Sequence, residues 1–350
     1  MALVMVQGHL NDALLSPAAK AGVLYQLQLV IHGSTAPGFL FASGFVAGLP
    51  RAPLSVRASV RRARRLLFLL GVGYALHLPY LSLWKTLLQA TPADKAHALS
   101  CSALHVIAVT QLFVLALQWA VGRRWVAVAA GLALLVLAAT PAVWASDLSR
   151  RLPLALGAYI DVRAAPSAFP VFPYSAFVLA GTVAGAALGR QDAATRARRA
   201  LRGGAGLLAA GALVALALRG RVEFWGPSPG YALLRLGALL LLLLGVERAV
   251  RRRGRIASAL ALIGHETLLV YVLHLQLLYG AVLWPAPLAP WAGRVGLLSA
   301  DTVLLSAMVV VLFLAAWAWH RLKVRWPQAA QTLLSFLTVA FIWEFFTRPW

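Results

Sequence analysis

Long apolar blocks separated by short arginine-rich connectors are the feature that most constrains the fold of this chain. Leu236–Val246 is almost wholly aliphatic, and Val303–Trp319 is nearly all apolar. Blocks of about 20 such residues are typical of membrane-spanning helices, whereas a transmembrane β-barrel would alternate with period two. Only 12% of the 350 residues are charged, which is about half the fraction in a soluble domain. The sequence therefore predicts an all-α, polytopic transmembrane helical bundle.

The apolar blocks predict about ten to eleven spans within one integral membrane domain that covers 1–350. The first block is short, and we expect it to be a span truncated at its amino end. Apolar residues 23–31 precede the second predicted span and would lengthen it. The predicted spans are 1–15, 35–50, 66–84, 103–121, 125–144, 171–189, 203–219, 231–249, 258–280, 297–319 and 329–347.

The basic residues predict the orientation in the membrane. The formal net charge is +22, and Lys and Arg concentrate in every second connector, at 51–65, 123–124, 190–202, 248–255 and 321–325. Basic loops stay on the cytoplasmic side, so the amino end is expected there and the carboxyl end outside. Anionic lipid headgroups are the expected partners, and nucleic acid is not. The composition, rich in Ala, Arg and Leu, suggests a bacterial inner membrane.

Glycines spaced four residues apart predict where two helices pack closely. Gly44 and Gly48 lie in the second predicted span, and Gly181, Gly185 and Gly189 lie in the sixth. Small residues at this spacing let helix backbones approach one another. We interpret both sets as packing surfaces.

Histidines at one predicted depth are the strongest chemical signal. Five of the eight fall in or near the outer halves of five predicted spans: His9, His32, His77, His105 and His274. Ionisable groups at membrane depth usually face a protein interior or a cavity, and a neutral imidazole can act as a general base. Asp12 lies one helical turn after His9 and Tyr271 one turn before His274. Ordinary hydrogen bonds between helices are the competing interpretation, which we favour for His77 and His105.

Besides the histidines, few polar residues fall within the predicted spans. Glu266 opens the ninth predicted span on the cytoplasmic side, where it would either stabilise a helix start or contact a polar cofactor. Arg235, in the outer part of the eighth span, would snorkel outward or pair with Asp12, Asp161 or Glu223. A single cysteine, Cys101, excludes an internal disulfide, and no zinc-type motif occurs on one helix, so no metal is expected.

Several motifs resemble the transmembrane acyltransferase superfamily, which includes the acyltransferase-3 proteins. The segment Ala2–His9 is similar to the later part of the family's first span, which ends near a histidine. Further similar motifs are Thr35–Gly44, Phe169–Tyr174 and Gly264–His274. They resemble the heparan-α-glucosaminide N-acetyltransferase branch more closely than the acyltransferase-3 branch.

The resemblance implies acyl transfer across a membrane. Acyl-CoA, with acetyl as the expected acyl group, would donate from the cytoplasm, and a glycan or other small hydroxyl or amine acceptor would bind outside. His9 or His32 would be the general base or, as the less favoured alternative, would carry the acyl group, and Asp12 would orient it. The residues expected to contact substrate are His274, Tyr271, Arg235 and His77, and Glu266 would contact the donor. The alternatives are a proton-coupled transporter or permease and a non-catalytic membrane homologue. The sequence leaves the oligomeric state open.

Overall fold

The computed structural model describes residues 1–50, 54–251, 254–280, 288–296 and 300–349. Parts of the predicted basic connectors at 51–65 and 248–255, and the start of the tenth predicted span, therefore lie outside the described residues. Within those ranges the chain forms α-helices and short 3-10 turns, and no β-strand occurs there. The all-α prediction is confirmed.

Eighteen α-helices are found in the described ranges. In chain order they are α1 Ala2–Leu14, α2 Pro17–Lys20, α3 Val23–His32, α4 Thr35–Gly48, α5 Val56–His77, α6 Leu83–Leu88, α7 Pro92–Ala98, α8 Ala103–Val121, α9 Trp125–Ala145, α10 Leu148–Arg151, α11 Leu154–Ile160, α12 Val171–Leu188, α13 Ala193–Ala217, α14 Pro229–Arg251, α15 Arg255–His265, α16 Thr267–Tyr279, α17 Ala300–Arg325 and α18 Pro327–Thr347.

Seven helical segments of the described chain are long and apolar enough to cross a membrane, or eight if the bent pair α15 and α16 forms one span. They are Val23–Gly48, Ala103–Ala145, Val171–Leu188, Ala193–Ala217, Pro229–Val250, Ala300–Arg325 and Pro327–Thr347. The 43-residue segment Ala103–Ala145 would be about 64 Å long if straight, twice the hydrocarbon thickness. It contains α8 and α9, each of single-span length, with a 3-10 turn between them.

The structure differs from the predicted spans at three places. The first block forms the 13-residue helix α1, which at about 20 Å is shorter than the hydrocarbon core. The third predicted span, 66–84, corresponds to α5, which begins at Val56 and ends at His77. The ninth is broken at Glu266, where α15 and α16 meet at 77°. Neither the hydrophobic periodicity nor the hydropathy of the sequence reveals such a break.

The chain divides into two compact units. Unit 1 comprises Met1–Thr35, Leu78–Lys95 and Ala249–Trp350, and unit 2 comprises Ala36–His77 and Ala96–Arg248. In unit 1, α1 packs against α3, α16 and α17, while α17 also contacts α15 and α18. Its apolar core includes Val6, Leu10, Val270 and Leu312. This core holds α1 and α16 side by side.

In unit 2, α12 packs against α8 and α9, and α5 packs against α8. The predicted small-residue packing is confirmed between α4 and α12. A Cβ added at Gly44 would lie 2.0 Å from the Val178 carbonyl oxygen, and one at Gly181 would lie 2.0 Å from the Phe41 oxygen. Only glycine permits this backbone approach.

Many basic residues lie in helices rather than in the predicted loops. Arg57, Arg61, Arg62, Arg64 and Arg65 belong to the first turns of α5, and the basic residues of 196–202 belong to α13. Asp192 begins α13 by accepting hydrogen bonds from the backbone of Thr195 and Ala194. These bonds, with that to Thr195 the strongest, lower the pKa of Asp192. The helices therefore extend beyond their apolar blocks.

Candidate functional site

Three histidine rings meet in unit 1. His9 lies on α1, His32 ends α3, and His274 lies in the middle of α16. The centroids of His9 and His274 are 5.1 Å apart with nearly parallel planes, and those of His9 and His32 are 5.4 Å apart edge to face. The structure thus brings together three of the five histidines selected from the sequence.

Hydrogen bonds fix the proton positions along the His9–His274 pair. Nδ1 of His274 lies 2.8 Å from the Val270 carbonyl oxygen. A carbonyl only accepts, so this nitrogen carries the proton and Nε2 of neutral His274 presents a lone pair. Nδ1 of His9, 2.8 Å from that Nε2, therefore donates. In this arrangement Nε2 of His9 is unprotonated, and no hydrogen bond engages it in the described part of the chain.

A glycine makes room for His32. A Cβ added at Gly8 would lie 1.7 Å from Nδ1 of the His32 ring, so the ring packs directly on the α1 backbone. Thr35 donates a 2.6 Å hydrogen bond to the carbonyl oxygen of His32 at the end of α3. His32 was predicted to precede a span, but it lies inside the apolar segment Val23–Gly48.

Asp12 does not orient His9, contrary to the sequence-based prediction. Its side chain is 63% exposed and lies 3.8 Å from Nζ of Lys20. The Tyr25 hydroxyl donates to it at 3.4 Å. A spacing of three residues places two side chains on neighbouring parts of a helix surface, but Asp12 contacts Lys20 and Tyr25 instead of His9. The partner of His9 is His274, which the sequence assigned to substrate binding.

Two tyrosines flank the imidazole pair. The Tyr271 ring meets His274 edge to face at 5.7 Å. Tyr279 donates a 3.3 Å hydrogen bond to the His9 carbonyl oxygen. Tyr271 is therefore placed beside the pair, and Tyr279 adds a tie between α16 and α1 that the sequence analysis missed.

A buried polar network next to His9 was also missed. With its amide nitrogen facing α17, Asn11 donates to both carboxylate oxygens of Asp301 at 2.9 and 3.0 Å. The Gln28 side-chain amide contacts Asn11. Asn11 is 2% exposed and Asp301 is 8% exposed. The sequence carried one signal for this network: Asp301 lies at the start of a long apolar block, where an ionisable group is costly and needs a partner.

Glu266 occupies the break between α15 and α16. It is 4% exposed, and its carboxylate lies 2.6 Å from Nζ of Lys323 and 3.0 Å from Nδ1 of His320, both on α17. Its side chain caps neither helix. Both carboxylate oxygens thus have partners within the chain, and donor contact by Glu266 stays a prediction.

The remaining histidines of the predicted outer set lie in unit 2. His77 meets His97 at 5.0 Å and His105 at 5.7 Å between ring centroids. Nδ1 of His105 accepts from the Ser102 backbone at 3.1 Å and contacts the Ser102 hydroxyl at 2.7 Å, which caps α8. His105 therefore has a structural role, but it caps its own helix instead of joining two helices as we expected. Substrate contact by His77 stays a prediction.

Arg235 pairs with aromatic residues instead of the predicted carboxylates. Its guanidinium carbon lies 3.8 Å from the centre of the Tyr231 ring. Asp161 accepts from Ser149 and the Arg163 backbone instead, and Glu223 is exposed. A tyrosine one helical turn before the arginine offers its ring face and hydroxyl, which orient the guanidinium but do not neutralise its charge.

A basic cavity lies at the start of α5. It has a volume of about 420 Å³ and is lined by Ala58, Arg61, Arg62 and Arg65. Elsewhere in unit 2, burial raises the pKa of the Cys101 thiol to about 12, so this cysteine is a poor nucleophile. No group of three or more His, Cys, Asp or Glu residues is placed to hold a metal ion within the described ranges.

Comparisons with known proteins identify the family. The family model for the acyltransferase-3 proteins, described as an acyltransferase domain, matches residues 1–320. No curated protein and no solved structure matches the chain. The closer likeness to the heparan-α-glucosaminide branch stays a prediction. Because the match covers most of the chain and apolar helices dominate its fold, the protein belongs to the acyltransferase-3 family and is a membrane acyltransferase.

Proposed function

We propose that the chain moves an acyl group, most simply acetyl, from cytoplasmic acyl-CoA to a hydroxyl or amine of a glycan or other small acceptor on the outer face. His9 is the general base in this proposal. The single observation that carries it is the hydrogen-bonded series from the Val270 carbonyl through His274 to His9. This series leaves a lone pair on Nε2 of His9, as a proton acceptor requires.

The proposed reaction balances without a further reactant. Nε2 of His9 removes the proton from the acceptor O–H or N–H while that atom attacks the thioester carbonyl carbon. The C–S bond then breaks, and the proton on His9 passes to the departing thiolate. The products are an ester or amide and free CoA. His274 acts as the positioning residue, as the third member of a catalytic triad does.

The basic cavity on α5 supports an anionic donor. Arg61 and Arg65 lie one turn apart on one helix face, beside Arg62. Guanidinium groups form bidentate hydrogen bonds with phosphate, and CoA carries several phosphate groups. The positive-inside bias favours placing this surface on the cytoplasmic side of a bacterial inner membrane.

Acyl transfer by the purified protein tests the proposal. The protein in nanodiscs is given radiolabelled acetyl-CoA and a panel of sugar acceptors, and CoA release and acceptor labelling are measured. We expect His9→Ala to lower the rate by about 100-fold or more. Lys95→Ala, which removes an exposed side chain from α7, is the control and should retain activity.

His32→Ala separates the two histidines that the sequence offered as bases. If His9 is the base, His32→Ala retains more activity than His9→Ala. Unchanged acyl transfer by the folded His9→Ala variant would remove His9 from the reaction and reject the proposal.

A further inference from the structure

Arg235 is a half-buried cation without a counter-ion among the described residues. It lies on the second turn of α14, six residues after Pro229 and about 9 Å along the helix. In the described part of the chain it forms no ion pair, and its Nε atom is buried without a hydrogen-bond partner. A charged side chain at membrane depth is costly and usually serves a ligand or an ion path.

Neutral aromatic groups hold the guanidinium in place. The Tyr231 hydroxyl accepts a hydrogen bond from it, the Tyr231 ring lies 3.8 Å away, and Tyr174 of α12 is a second hydrogen-bond partner. These contacts orient Arg235 but leave its positive charge uncompensated. An anion is the missing partner that electrostatics requires.

An aromatic surface adjoins the guanidinium. The ring centroids of Trp225 and Phe224 lie 5.2 and 4.8 Å from that of Tyr231. Trp225 is 59% exposed. Exposed aromatic faces next to a cation fit a ligand with an acidic group on an apolar or ring-shaped body.

We propose that Arg235, Tyr174, Tyr231 and Trp225 form a binding site for a carboxylate or phosphate ligand. The charged group contacts the guanidinium of Arg235 in a charge-assisted hydrogen bond. The body of the ligand packs on Trp225. The same chemistry is offered by a soluble acidic sugar and by a phospholipid headgroup.

Ligand binding without an acyl donor tests this site, so its outcome is independent of the acyl-transfer assay. The full-length protein in non-ionic detergent is titrated with glucuronate, glucose 6-phosphate or short-chain phosphatidylglycerol while Tm is followed. Glucose and sodium chloride of equal ionic strength are the controls. We expect at least one acidic probe to raise Tm, with at least a tenfold higher Kd in Arg235→Gln. Arg219→Gln, which removes an exposed arginine before the same helix, should bind as the wild type does.

The probes also separate the two sources of the acid. A response to the sugar acids indicates a soluble ligand, and a response to phosphatidylglycerol alone indicates a headgroup; either supports the site. Arg235→Lys keeps the charge and should retain part of the binding. Without ligand, Arg235→Gln should have a Tm equal to or above that of the wild type, because an uncompensated, half-buried charge is removed. No shift with any acidic probe, equal binding by Arg235→Gln, or a large loss of its Tm would overturn the proposal.

Discussion

The proton position on one ring nitrogen decides what His9 can do. An isolated neutral imidazole interchanges two tautomers, and only one exposes Nε2 as a base. The 2.8 Å contact between His9 and His274 selects that tautomer because His274 is itself committed to the Val270 carbonyl. The catalytic property therefore belongs to a pair of residues 265 positions apart.

His274→Asn tests this pairing. The asparagine keeps a polar side chain but does not reproduce the ring geometry that orients His9, so we expect kcat to fall by about 10- to 100-fold with little change in KM. The pH dependence of kcat should also shift, because a proton-accepting neighbour is lost. A purely structural role would change Tm and leave the pH profile of the remaining activity unaltered.

Gly8→Ala tests the contact between α1 and His32. The added methyl group would overlap the His32 ring, and overpacking of this kind costs about 1–3 kcal/mol. Thermal unfolding of the purified protein should show the loss. The matched control is Gly71→Ala in α5, where nothing lies within 4 Å of the added Cβ.

A double variant isolates the Gly8 contact. His32→Ala removes the ring that the new methyl group would overlap. The double variant Gly8→Ala/His32→Ala should therefore lose less stability than the sum of the losses in the two single variants. Strict additivity would show that the two residues do not touch in the folded protein.

Among the elements, α15 and α16 show why a broken helix needs polar support. Neither the 11-residue nor the 13-residue half reaches across the hydrocarbon core, and the break leaves backbone groups without helical partners. Glu266 at the break is tied to α17 by Lys323 and His320. An ion pair thus joins the break to a continuous helix.

Lys323→Ala should destabilise the protein more than Glu266→Gln. The first change leaves a nearly buried carboxylate with His320 alone, whereas the second replaces the charge with an amide of similar shape. We expect a loss of about 1–3 kcal/mol for Lys323→Ala, read as a lower Tm. Arg325→Gln, an exposed neighbour stacked on Trp326, is the control. Equal losses in all three variants would contradict a specific role for the ion pair.

The sequence predicted the helical elements well where apolar blocks were long. The blocks that became α8, α9, α12, α14 and α18 were placed within a few residues, whereas α17 continues to Arg325, beyond the predicted end at 319. It missed the helical continuation of the arginines into α5 and α13, because charged residues end an apolar block without ending a helix. It also missed the 77° bend. Glu266 at this bend contacts Lys323 and His320 of α17, and contacts with a distant part of the chain leave no local pattern.

At the scale of the whole molecule, the site was only partly predictable. The convergence of His9, His32 and His274 followed from their predicted depth, since span topology restricts where such residues meet. The choice of His274 over Asp12 as the partner of His9 depends on side-chain directions at the end of α1. Likewise, Asp301 and Asn11 are joined by packing between α1 and α17. Contacts between distant parts of the chain leave no trace in local spacing.

The orientation of the chain can be tested by labelling. In a Cys101→Ser background, Arg199→Cys places a thiol on a basic helix end, and Lys95→Cys places one in a predicted outer connector; both positions are exposed. The positive-inside bias predicts that a membrane-impermeant maleimide labels Lys95→Cys in right-side-out cells and Arg199→Cys in inverted vesicles. The reverse pattern would invert the proposed topology and place the arginines of α5 outside.

The Nδ1 contact of His9 also restricts the order of events in the proposed reaction. Since Nδ1 of His9 already donates to His274, the proposed reaction both takes up and releases the transferred proton at Nε2. The nucleophile of the acceptor and the departing sulfur therefore contact Nε2 of His9 one after the other. Until the sulfur has been protonated, His9 is a charged imidazolium without a lone pair on Nε2 and cannot deprotonate the next acceptor.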